Sequence, residues 1–493
     1  MGASFGQAIF RANRDIDPRI ASTIQDCSEV IHISVFFDGT GNNKEADRRE
    51  KKWSNVARMW QSANMQALED KSSAMHPIYL PGVGTPFDGN GKSWVDNAMM
   101  SVEDSIPGDL GGAGGDRRMR AGEDRVNDAL RRVLISNAKK TGGEIAKYAT
   151  ENSQSSFAQL NKALAKHRLI KVINFSIFGF SRGAALARAF SNRLIEQCKL
   201  EDGILEHNGI PVRITFLGIF DTVASFGMPA LNVRSPWTER ELIVSPMVER
   251  CVHFVAGHEI RASFPVDLIR RNGSLAGNWR EDVFPGVHSD VGGGYGPHEY
   301  EIDNNAARVP LYEMMNEAWD AGTRLVAYVS INKINAPLFD EMYRCGPATE
   351  KAYQAYMEQF GEQTGTVEQR MMRHRQLLIS AYGTMSRAGE KSVTEKRRED
   401  HWFGPKGMAH EVSKYRAATS AVNAKVWQAL PNSLPTVVVR SATAGYAQLV
   451  RPQTWQLSAW DTAATPGVIE FVRNFVHDSK ADFVKNLEPF SYF

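Results

Sequence analysis

Residues 169–188 constrain the fold more than any other stretch. An apolar, β-rich run, Leu169–Phe178, leads into Gly179-Phe180-Ser181-Arg182-Gly183. Ala184, Ala185, Leu186, Ala187 and Arg188 follow, a favourable helix start. The order is strand, tight turn, helix. A serine at such a turn is held in a strained backbone geometry that exposes its hydroxyl. Glycines two residues before and two after let strand and helix pass closely. Ser181 is therefore the candidate nucleophile, and a structural Gly-Ser turn is the alternative.

Further β-rich runs lie at Glu29–Phe37, His76–Pro81, Pro211–Phe220, Arg250–Ala256 and Glu281–Phe284. Helical patterns fall between them at Trp53–Ala67, Glu123–Lys140 and Phe157–His167. Strands alternating with helices predict an α/β fold, a mostly parallel sheet with helices on both faces. In such sheets the chemistry sits at the carboxyl ends of the strands. Asp38, Ser181, Asp221 and His288 all fall there. Residues 85–118 are glycine-rich, and the excursion 85–168 separates two strands and is a candidate lid or substrate-channel insertion. From about 311 to 429 the chain reads as helical. Its stretch 370–398 is basic, which predicts a solvated helical face or, alternatively, a patch that meets anionic lipid head groups.

A serine hydroxyl needs a histidine to take its proton and a carboxylate to fix that histidine's tautomer. Ser181, Asp221 and His288 occur in that order. Glu259 is the rival acid, one strand later. His253, His258, His298 and His477 are rival bases, and His253 lies inside a strand, as a packed core residue would. His288 is preferred because Gly292-Gly293-Gly294 beside it allow close backbone approach. The backbone N–H groups of Arg182 and of Gly39 or Thr40 are candidates for the oxyanion hole. Asp38, Asp290 and His477 are expected to support the site from behind. Three near misses fail at the residue that does the chemistry. Gly84…Gly91-Lys92-Ser93 has the wrong P-loop spacing. The aspartyl-phosphatase position two before Asp38 is Phe36. The twelfth position of an EF-hand read from Asp38 is Arg49.

Composition narrows the function classes. The chain has 493 residues, 42% hydrophobic and 23% charged, enough for a large core. Its 58 Lys and Arg against 56 Asp and Glu leave a net charge of +2, so no overall basicity draws it to nucleic acid. Cys27, Cys198, Cys251 and Cys345 form no CxxC pair, which predicts reduced thiols and no zinc or redox motif. No cofactor is expected. Calcium is compatible with the acidic, carbonyl-rich loops near Asp38 and Asp290, but they supply no convincing ligand set. Phe5, Ile9 and Phe10 are interrupted by Gln7, Arg11 and Arg14, so no Sec signal is expected. No apolar run is long enough for a transmembrane helix.

Four segments together carry a family resemblance. They are Phe36–Asn43, Gly179–Ala185, Phe220–Gly227 and Pro285–Tyr295. They resemble the α/β-hydrolase family that contains the first family of type VI secretion lipase effectors. The similarity spans about 29–320, and Val476-His477-Asp478-Ser479 also looks like that family. The resemblance implies a phospholipase A-type esterase acting on glycerophospholipids at a membrane surface. It places the nucleophile at Ser181, the acid at Asp221 and the base at His288. It further implies a protein made in the bacterial cytoplasm and exported by the secretion machinery to act in a competitor's periplasm, with an immunity protein as partner. The expected layout is an N-terminal arm (1–28), a catalytic core (29–320) containing the lid-like insertion, a mainly helical region (321–450) and a C-terminal segment (451–493) packing back on the core. A soluble carboxylesterase for small esters and a non-catalytic docking module with the same fold are the competing readings.

Overall fold

The computed structural model describes residues 29–70, 74–85, 112–224, 242–261, 265–398, 407–423 and 452–479. The arm 1–28 and most of the glycine-rich stretch after residue 85 lie outside them. The described elements begin with β1 (Glu29–Phe37), α1 (Asn55–Glu69), β2 (Met75–Leu80), α2 (Gly112–Thr141), α3 (Gly143–Glu151) and α4 (Phe157–Leu164). Next come β3 (Ile170–Phe180), α5 (Arg182–Glu196), β4 (Lys199–Glu201), β5 (Ile204–His207), β6 (Ile210–Phe220), β7 (Cys251–Ala256), β8 (Arg280–Phe284) and the short α6 (His288–Gly292). The helical region holds α7 (Arg308–Asp320), α8 (Tyr328–Ile334), α9 (Ala336–Met342), α10 (Pro347–Phe360), α11 (Val367–Arg387), α12 (Val393–Arg398) and α13 (Met408–Asn423). The last two helices are α14 (Thr454–Asp461) and α15 (Pro466–Phe475).

The strands form one mixed sheet. β2, β1, β3, β6, β7 and β8 lie side by side in that order and run parallel. The hairpin β4–β5 adds antiparallel to the first residues of β6, Leu205 opposite Val212. β6 therefore pairs with β5 along its first half and with β7 along its second. The hairpin is absent from the sequence expectation. Its signals are Asp202-Gly203 and Asn208-Gly209, two-residue turns in which all four residues have positive φ.

Alternation along β1 builds both faces of the core. Ile31, Ile33, Val35 and Phe37 face one cluster with Val126, Leu130, Val133 and Leu134 of α2 and Phe190 of α5. Phe36 faces the other with Phe178, Phe216 and Phe254, covered by Val56 and Met59 of α1 and Leu311, Met314 and Met315 of α7. Burial of this kind contributes about 25 cal/mol per Å² of apolar surface removed from water. α2 thus corrects the lid expectation for its part of the insertion: it is a layer of the core. It also begins earlier than the pattern predicts. Arg118 donates to the carbonyls of Pro81 (2.7 Å), Gly82 (2.6 Å) and Thr85 (3.0 Å), and these tertiary bonds override the poor helix propensity of the glycines before it. Residues 86–111 of the insertion lie outside the described residues.

The basic stretch is not one solvated face. Arg370 is buried and donates to Asp282 (2.9 Å) and to the Glu281 carbonyl (2.8 Å), tying α11 to β8. Arg387 reaches the Trp460 carbonyl of α14 at 2.6 Å. Val468, Phe471 and Phe475 of α15 pack on Tyr356 of α10 and Leu378 of α11. Among the described residues no helix is long and apolar enough to cross a membrane.

Candidate active site

Ser181 ends β3 and caps α5. Its φ is 58° and its ψ −128°, a conformation that costs a non-glycine residue roughly 1–3 kcal/mol. The surrounding backbone holds it there. Its N–H donates to the Phe220 carbonyl (3.1 Å), and its own carbonyl accepts from Ala184 (3.0 Å) and Val223 (3.3 Å). The flanking glycines are a packing requirement. A Cβ on Gly183 would lie 2.3 Å from the Asp38 carbonyl oxygen, and one on Gly179 2.4 Å from the Gly183 carbonyl. Strand, turn and helix can close on each other only without those side chains.

Asp221 ends the adjacent β6. It also has a positive φ, 37°. Its N–H donates to the Phe254 carbonyl (2.7 Å), and its Oδ1 accepts from the Ala256 N–H (2.9 Å). Its Oδ2 lies 2.6 Å from Nδ1 of His288. Both side chains are buried. A carboxylate on Nδ1 keeps the proton there and leaves Nε2 as the acceptor, the tautomer a general base requires. The His288 ring packs on Phe180, the residue before Ser181, with centroids 4.7 Å apart. The sheet thus brings Asp221 and His288 together and sets Ser181 and Asp221 at the ends of neighbouring strands.

Glu259 does a different job from the one weighed for it. Its Oε2 accepts the backbone N–H of His288 at 3.2 Å, and the carboxylate is paired with Arg261. Burial alone would push its carboxyl up, but the Arg261 guanidinium and the hydrogen bonds outweigh that and hold it at about 2. His253 is a core residue, bonded to Glu281 at 2.8 Å. His258 Nδ1 accepts the Gly286 N–H at 3.0 Å, and its Nε2 lies 2.8 Å from the Tyr356 hydroxyl. Burial lowers its pKa to about 3.

Asp38 turns inward. Its carboxylate accepts from the Tyr79 hydroxyl and from the Gly39 N–H (2.7 Å), and burial pushes its pKa up. The Gly39 N–H is thereby spent on Asp38. The Thr40 N–H meets no partner among the described residues, and Thr40 is exposed. Of the two early-loop candidates for the oxyanion hole, Thr40 is the one with an available donor. The Arg182 side chain spans the turn, its Nε–H donating to Thr40 Oγ1 at 2.5 Å. Asp290 and His477 form a second buried pair, Nδ1 to Oδ1, at 2.6 Å. Among the described residues no three His, Cys, Asp or Glu side chains converge in a way that could hold a metal ion. Cys198, Cys251 and Cys345 are free thiols, and burial pushes Cys198 up to about 11.

A strained serine on a strand-turn-helix, with a buried His–Asp pair at the same carboxyl end of the sheet, has the groups that nucleophilic ester hydrolysis requires. A family model agrees with hydrolase chemistry. The family model described as "T6SS, Phospholipase effector Tle1-like, catalytic domain" matches residues 32–211 and 197–317, and the chain belongs to that family. The family assignment agrees with the resemblance carried by the four sequence segments. A crystal structure of an uncharacterized protein from Pseudomonas aeruginosa is similar in fold, with a TM-score of 0.63 and 23% identity over 97% of this chain and 80% of that one. The structure of the Tle1 effector bound to the VgrG spike from the Type 6 secretion system matches with a TM-score of 0.41 and 19% identity, over 71% of this chain and 84% of that one. No curated protein matches the sequence.

Proposed function

We propose that this chain is an α/β-hydrolase-type phospholipase A that cleaves acyl esters of glycerophospholipids with Ser181, His288 and Asp221. The observation that carries the reading is a strained Ser181 after β3 and, after the neighbouring β6, Asp221 bonded to His288 at 2.6 Å, all at the carboxyl end of the sheet. His288 Nε2 takes the proton as Ser181 Oγ attacks the ester carbonyl. The backbone N–H groups of Arg182 and Thr40 receive the developing oxyanion. Collapse expels the glycerol oxygen of the lysophospholipid, which takes the proton from His288. A water, deprotonated in turn by His288, releases the fatty acid. Family membership supports phospholipid as the substrate and a type VI machine as the route of export. An antibacterial role in the target periplasm, a component of the secretion machinery as carrier and an immunity protein belong to the same proposal.

The test is fatty-acid release from phosphatidylethanolamine and phosphatidylglycerol vesicles, followed by mass spectrometry. Ser181→Ala should lower the rate by at least about 10⁴-fold with the fold intact by circular dichroism. A fluorophosphonate should label wild type at Ser181 and leave the variant untouched. Hydrolysis of short soluble esters with vesicles left intact would favour the carboxylesterase instead, and an unlabelled wild type the docking module.

A further inference from the structure

The loop that carries His288 is held from outside the sheet. Its neighbour Val287 donates its N–H to Asp290 Oδ2 at 3.0 Å. The same oxygen accepts the backbone N–H of His477 at 3.1 Å, while Oδ1 takes His477 Nδ1 at 2.6 Å. Ser479 then donates its hydroxyl to Glu259 Oε1 at 3.1 Å, and Glu259 Oε2 holds the His288 N–H. The segment 476–479 therefore reaches both carboxylates that hold the N–H groups of Val287 and His288. It does so across 187 residues of chain between Asp290 and His477.

The His477 ring is placed by few partners. It stacks on Tyr295, three residues past Gly292 at the end of α6, with centroids 3.8 Å apart and planes 13° from parallel. Its Nε2 is buried with no hydrogen-bond partner. The segment itself is anchored from behind. Phe471 and Phe475 of α15 lie in the core around Tyr356, and Asn474 accepts the Asp303 N–H at 2.8 Å. Two of the three donors described on Asp290 belong to His477. Removing the side-chain donor leaves Oδ1 of a buried carboxylate short of its partner beside the base, and such a group rearranges to find others.

We propose that residues 476–479 are a strap that positions the general base, with His477 and Ser479 as its positioning residues. The inference rests on the Ser181–His288–Asp221 reading. The strap touches no reacting atom. It sets where the His288 ring stands, and displacement of a catalytic group by about 1 Å can cost on the order of a hundredfold in rate.

The test uses the full chain, vesicles of phosphatidylethanolamine and phosphatidylglycerol, and the rate of fluorophosphonate labelling. His477→Phe keeps a ring for Tyr295 and the backbone N–H but has no side-chain donor. His477→Asn loses the ring but keeps an N–H near the place of Nδ1. Ser479→Ala leaves His477 untouched. His477→Phe should lower kcat and the labelling rate by about ten- to a hundredfold, with KM within about twofold of wild type. His477→Asn should recover to within about threefold of wild type, and Ser479→Ala should fall about threefold. An active Phe variant beside a failing Asn variant would show that the ring's packing matters and its donor does not, and would overturn the proposal. So would a rise in KM with kcat unchanged. If His477→Phe does not fold, the other two variants decide, and an undiminished Ser479→Ala overturns the strap. A wild type that neither releases fatty acid nor takes the label would overturn the hydrolase reading and the strap with it. A labelled wild type matched by an equally fast His477→Phe would overturn the strap alone.

Discussion

Two buried histidine–aspartate pairs among the described residues share the same contact, Nδ1 to carboxylate at 2.6 Å. One is His288–Asp221 and the other His477–Asp290. Taken alone, neither could be assigned to catalysis over the other. Their surroundings separate them. Asp221 ends a strand next to the one that ends in Ser181, and its second oxygen is fixed by the Ala256 N–H. Asp290 lies within the α6 turn and spends its second oxygen on the backbone N–H groups of Val287 and His477. His288 packs on the residue before the nucleophile, His477 on Tyr295. The difference teaches that a His–Asp pair acquires its role from the strand end it stands on. One pair can do chemistry and the other can hold it in place.

The comparison is broken most directly by weakening each carboxylate in turn. Asp221→Asn keeps the shape but removes the charge that fixes the His288 tautomer, and kcat on vesicles should fall by about 10³- to 10⁴-fold. Asp290→Asn should cost about tenfold, because it loosens the loop and leaves the tautomer alone. Both rates come from the same fatty-acid assay, and a reversal of their order would move the catalytic role to His477.

The smallest effect concerns stability and sharpens the contrast with a histidine in neither pair. His258 has its pKa lowered by burial from the ordinary 6.5 to about 3. The unfolded chain therefore binds a proton below pH 6.5 that the folded chain refuses. This contribution to stability is complete above that pH and is lost as pH falls toward 3. Glu259, held at about 2 against an ordinary 4.5, adds a loss that begins only below about pH 4.5. Urea unfolding at pH 7.5, 6.0 and 5.0 should show a falling midpoint, and His258→Gln should flatten the curve between 6.5 and 5. A midpoint that rises with acid in this range would contradict the assignment of His258 as a neutral core residue.

Much of this arrangement was legible in the sequence, for reasons that vary along the chain. β1 was placed at its full extent, and β3 and β6 to within two residues, because buried parallel strands are continuous apolar runs. The elbow was legible because its glycines answer a steric need that any such turn has. The partnership of Asp221 with His288 followed from chain order and strand ends. The hairpin β4–β5 was missed although Asp202-Gly203 and Asn208-Gly209 announced it, because its strands are short and β4 is exposed, with no apolar pattern to find. The start of α2 was illegible because its stability comes from Arg118 on carbonyls far away in sequence. Arg370 looked like a solvent residue because nothing nearby in the chain marks Asp282 as its partner. The division of labour between Glu259 and Asp221 could not be read either, since both follow strands and only the folded sheet shows which carboxylate meets the ring.

The lacing of Ser181 to the neighbouring strand end has a consequence for the order in which activity arises. Ser181 donates to Phe220 and accepts from Val223, so nucleophile and carboxylate are set by two adjacent strands that a ribosome completes in the first half of the chain. The fastening of His288 waits for residues 476–479. Between those moments the nascent enzyme holds a strained serine and an aspartate but no seated base. On the proposed reading, the site is complete only when residues 476–479 have been made and have docked on Asp290 and Glu259.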